Sequence, residues 1–74
     1  MKYTVVIEKA PSNYAAYVPD LPGCVATGAT REAVLEEIRE AIAFHIESLR
    51  EHDEPVPEPQ SSAEVVDVGA VTAE

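Results

Sequence analysis

Tryptophan is absent, cysteine and phenylalanine occur once each, and only five of the 74 residues are lysine or arginine. Each shortage excludes something. With Cys24 alone, no internal disulfide can form, and no grouping of His, Cys and carboxylates has the spacing of a metal-ligand set. No stretch approaches the ~20 consecutive apolar residues needed to cross a bilayer. Near the N-terminus, Lys2 is followed only by the short apolar run Val5-Val6-Ile7 and then Glu8. That pattern lacks a secretory leader, and with one free thiol it points to a reducing cytoplasm. A chain this short makes one domain, whose core is thin because domains of this size bury only about 60% of their unfolded surface. The usual remedies are disulfides, metals and self-association. Only the last is open, so a homodimer or higher homo-oligomer, joined through a sheet edge or an open sheet face, is expected.

The scarcity of positive charge is uneven. Residues 1–31 hold three cations against Glu8 and Asp20, whereas residues 32–74 hold Arg39 and Arg50 against twelve acids. Such a half repels phosphate backbones, so direct nucleic-acid binding by this domain is not expected. Two readings of the charge stand side by side. It keeps a small protein soluble, or it attracts a basic protein partner.

What is present has clear periods. Lys2 to Lys9 is rich in β-branched residues, with Tyr3, Val5 and Ile7 on one face and Thr4, Val6 and Glu8 on the other. Ala10-Pro-Ser-Asn13 is a turn, and Tyr14 to Val18 is a second strand, antiparallel to the first. Pro19 ends it, since proline has no donor for the ladder. Leu21-Pro22-Gly23-Cys24 fits a type II turn with positive φ at Gly23, and Cys24 to Gly28 returns as a third strand. Thr30 is an N-cap with Glu32 in the first turn. From Arg31 to about Glu51, Val34, Ile38, Ala41, Ile42, His45 and Leu49 form a helical stripe, with Leu35 and Ile46 at its margin. Pro55-Val-Pro-Glu-Pro59 is extended. Ala63 to Val68 is expected to be a fourth strand, parallel to the first after a right-handed crossover. Residues 1–68 are then the domain and 69–74 a loose tail.

Chemistry-bearing residues are few. His45 and His52 lie a heptad apart but have no further ligands near them, so a packed histidine and a helix-end histidine are the expected roles. Cys24 reads as a small buried hydrophobe. Tyr14 and Tyr17, three apart, face opposite sides of their strand; each is either an interface anchor or filling for a thin core. Asp20 is placed to accept backbone hydrogen bonds. Leu21, if exposed at the turn tip, is a natural contact residue. Tyr14, Tyr17, Asp20, Leu21 and Pro22 are therefore the candidate partner contacts.

The run Tyr14-x-x-Tyr17-Val-Pro-Asp-Leu-Pro-Gly-Cys24 after an opening strand, then Thr27-Gly28, an acidic helix with Glu40-Ala-Ile42, and Pro57, resembles the HicB-type antitoxin domain. The likeness runs from about residue 3 to residue 59. It implies an α+β, truncated ribonuclease-H-like fold of β-β-β-α-β order. It also implies a non-enzymatic role: binding and blocking a small basic messenger-RNA-cleaving toxin of the HicA type, without a cofactor. Many relatives carry a C-terminal DNA-binding module; here only a strand and a tail follow residue 62. Besides a purely structural homo-oligomer subunit, two alternatives remain. One is a solitary binding or regulatory module with no toxin. The other is a weak metal-dependent nuclease, which the sequence disfavours: Thr4, Val5, Val6 and Ile7 occupy the strand where a metal-binding aspartate would stand.

Overall fold

The computed structural model describes residues 1–69. Three strands and a helix follow one another: β1 (Val6–Lys9), β2 (Tyr14–Tyr17), β3 (Val25–Gly28) and α1 (Arg31–Glu51). The sheet is antiparallel in the order β1-β2-β3, with Val6 opposite Tyr17 and Tyr17 opposite Val25. The strands are shorter than the β-branched runs, and the limit is set by β2. Where Val18 and Pro19 leave the ladder, Tyr3 and Val5 lose their cross-strand partners, although both still pack on the core.

Two linked turns occupy residues 18–24. Leu21 N–H donates to Val18 O (3.1 Å), and Cys24 N–H donates to Leu21 O (3.0 Å). Gly23 has φ of 85°, as the type II geometry of the second turn requires. The same geometry turns Leu21 inward.

Thr30 caps α1 as its sequence position indicates, its Oγ1 accepting from Ala33 N–H at 3.0 Å. The helix ends in a Schellman motif. Glu54 N–H reaches Leu49 O (2.8 Å) and Asp53 N–H reaches Arg50 O (3.2 Å), which holds Asp53 at φ 55°. Gly28 sets how closely strand and helix approach, because a Cβ there would lie 2.6 Å from the Val34 nitrogen.

The core lies between the helix and the sheet: Ala16, Val18, Leu21, Cys24, Val34 and Ile38 are buried. Burying each of the three largest (Leu21, Ile38 and Val34) stabilises the fold by about 1.5–3 kcal/mol. The helix rests on β3 and β2 and barely reaches β1. Only Val34 and Ile38 of its stripe are therefore fully covered, while Ala41, Ile42, His45 and Leu49 are half-buried.

The fourth strand expected at Ala63–Val68 is not formed among the described residues, so the β-β-β-α-β order stops after the helix. The chain beyond Pro55 passes the start of β1, where Pro57 O accepts from Tyr3 Oη and Ser61 O accepts from Thr4 Oγ1. It is then clamped by Asp20 and runs outward with Val65, Val66 and Val68 exposed. No turn brings it back beside β1. Of the expected tail, residues 70–74 lie outside the described residues.

Candidate functional site

With α1 covering one face of the sheet, the other face is open. The alternation of each strand and the register together place one apolar row across it: Val6, Tyr17 and Val25. Tyr17 is 40% exposed and Val25 65% exposed. The next row on this face, Glu8, Ala15 and Thr27, is small and polar. A tyrosine flanked by aliphatic side chains on a flat surface is a typical protein-contact anchor.

The candidate contacts separate. Tyr14 points to the helix side and is half-buried against the core, with Lys9 Nζ 5.7 Å from its ring centre. It is thus filling, and Tyr17 is the exposed partner of the pair. Pro22 is exposed at the turn.

Leu21 must be corrected. It is 0% exposed and sits at the centre of the core, because two consecutive turns fold its side chain under the helix. The condition of exposure is not met: this apolar turn residue is the plug of the core.

Asp20 is a clamp. Its Oδ2 accepts from the amides of Gln60 (3.0 Å) and Ser61 (2.9 Å), and its Oδ1 accepts from Ser61 Oγ (2.9 Å). The Ser61 and Gln60 amides favour the carboxylate and hold its pKa below the ordinary 3.8. At Cys24, burial pushes the thiol above its ordinary value, which suits an inert core residue. His52 Nδ1 lies 2.8 Å from Ser48 O, where it donates within its own helix end. Among the described residues, no three His, Cys, Asp or Glu side chains gather as a metal site. No helix among the described residues is long and apolar enough to cross a membrane.

Two surface residues escaped the sequence reading. Val25 looked like one more strand residue until the register put it beside Tyr17. Phe44, the single phenylalanine, is 75% exposed on the outer face of α1. It follows Glu37 and Glu40 and precedes Glu47 and Glu51, at seven, four, three and seven residues. Helical periodicity alone places it off the apolar stripe and among these acids.

The fold and its open sheet face define a small α+β module that offers a surface for contact. Residues 3–70 match the family described as HicB_like antitoxin of bacterial toxin-antitoxin system, and the chain belongs to that family. It is similar to the UPF0150 protein Ta0767 of Thermoplasma acidophilum, 45% identical over 95% of this chain and all of that one. A 14.9 kDa protein of Haemophilus phage HP1 is 44% identical over 77% of this chain, which spans 43% of the phage protein. Among solved structures, a chain of a HicA3 and HicB3 toxin-antitoxin complex superposes with a TM-score of 0.70 at 33% identity. The match covers 81% of this chain and 70% of that one.

Proposed function

We propose that this protein is an antitoxin that binds a small basic HicA-type, RNA-cleaving toxin and silences it by direct contact. The observation that carries the reading is the likeness, at 33% identity, to a chain from a HicA3 and HicB3 complex. Two features of this chain support it. One is the apolar row Val6, Tyr17 and Val25 on the uncovered sheet face, with Pro22 exposed at the 21–24 turn. The other is an acidic half-chain, which attracts a basic partner to the molecule. The protein acts by occupying the toxin's surface and needs no cofactor.

Co-expression with the cognate toxin is expected to restore growth, and purified protein to stop RNA cleavage in vitro. Tyr17→Ala is expected to weaken the complex by about 2 kcal/mol, roughly 30-fold in Kd. Glu58→Ala, on the exposed proline segment, is expected to leave it unchanged. A toxin that keeps full activity at saturating antitoxin overturns the reading.

A further inference from the structure

The segment after the Asp20 clamp, Ala63-Glu-Val-Val-Asp-Val68, is built like a strand but lies in solvent. Val65 is 100% exposed, and Val66 and Val68 are 71% and 73% exposed. Neither glycine nor proline interrupts residues 60–68, and the segment's one described hydrogen bond, from Gly69 N–H to Asp67 Oδ1, is local. Behind it, Pro55, Pro57 and Pro59 make a stiff approach, and three hydrogen bonds to Asp20 fix the direction in which it leaves. The result is an arm. The radius of gyration is 15.1 Å, against about 11 Å for a compact chain of this length.

A surface that fits such an arm lies on the same molecule. Because α1 rests on β3 and β2, the gap between the helix and the start of β1 stays open as two adjoining hollows of about 370 and 350 Å³. Their floor is apolar, made by Tyr3, Val5, Leu35, Ile42 and Ile46. Their rim carries Lys2, Arg39 and Arg50, three of the five cations in the protein, with Glu47 as the one acid. Arg39 meets Glu36 only at 3.4 Å in an exposed pair, a contact weak enough to be exchanged. Beside the hollows, β1 is an edge strand, and among the described residues no strand pairs with its outer side. Valines flanked by Glu64 and Asp67 complement an apolar floor with a cationic rim, and an unpaired edge accepts an added strand.

We infer that the Ala63–Val68 arm of one copy docks along β1 and into this groove of a second copy, reciprocally. None of residues 63–68 lines the groove of its own copy, and Val65, Val66 and Val68 stay exposed, so the occupant is the partner's arm. Two-fold exchange repeats the contact, which brings the buried area towards the ~1,200–2,000 Å² of a stable interface. It also supplies the burial that the thin core lacks. The groove and the Tyr17 face are separate, so this inference and the toxin reading fail independently.

Light scattering on the full-length protein at tens of micromolar is expected to give twice 8.0 kDa. Val65→Asp with Val66→Asp, both exposed, is expected to give a monomer with unchanged helical circular dichroism. Arg39→Glu with Arg50→Glu is expected to do the same, and adding Glu64→Arg and Asp67→Arg to that chain to restore the dimer. A wild-type monomer overturns the inference, whether its arm is free, folded onto its own β1 or seated only on the toxin. A dimer that survives the valine substitutions overturns it as well.

Discussion

At the residue scale, two glycines illustrate different constraints. Gly23 has φ of 85° with nothing within 4 Å of where a Cβ would stand, so a side chain there meets strain in the backbone alone. Gly28 has the opposite problem: its Cβ would press on the Val34 backbone at 2.6 Å, and backbone does not yield as a side chain does. Gly23→Ala is expected to destabilise by about 1 kcal/mol, and Gly28→Ala by about 1–3 kcal/mol or more, since strand and helix must separate. Urea denaturation of the two variants would rank them; a Gly28→Ala protein as stable as wild type would refute the close approach.

Asp20 adds a pH dependence. Its folded pKa is depressed, so its contribution is complete above the ordinary value of 3.8 and is lost as pH falls through the lower folded value. The Gln60 and Ser61 amides are expected to stay protected from hydrogen exchange down to the carboxylate range and to open below about 3.8. In Asp20→Asn, which cannot titrate, that step is expected to vanish.

At the element scale, α1 carries its own start and stop. Thr30 supplies the cap, and the Schellman hydrogen bonds place Asp53 in left-handed backbone without the usual glycine. Asp53→Gly is accordingly expected to raise stability by about 0.5–1 kcal/mol, measurable as a rise in Tm.

The helix bounds, the hairpin, the type II turn and the opposite faces of Tyr14 and Tyr17 were all legible in the sequence, because each depends on neighbours a few residues apart. What was not legible depends on distant ones. Leu21 is buried because two turns in series aim it at Ile38 and Val34, and Val25 gains meaning only from a register with Tyr17. The Ala63–Val68 segment has strand propensity, yet propensity does not provide a turn. Asp20, forty residues away, decides where that segment goes.

At the scale of the whole molecule, charge and shape are segregated. The acids cluster on the helix and beyond it, with Phe44 in their midst, while the sheet contributes the nearly neutral apolar row. If the proposed toxin binding holds, long-range attraction sets how fast a basic toxin arrives, and the apolar row it covers sets how long it stays. Raising the salt from 50 to 500 mM is expected to lower the association rate on the order of tenfold, with little change in dissociation. Stopped-flow mixing with the toxin would read both; a salt-independent association rate would remove the steering role.

The contacts of Pro57 with Tyr3 and of Ser61 with Thr4 make the path of the body nearly a closed ring. Its first strand starts where residues 57–61 pass, and the exposed bend Pro11-Ser12 lies at the far end of β1. The linear order of the elements is thus one of several cuts through the same loop of chain. Rejoined across Ser62 and Met1 and reopened at Ser12, the polypeptide would run β2, β3, α1, β1. As a circular permutant it would keep every pairing of the sheet, and the opening hairpin would become a late, long-range closure.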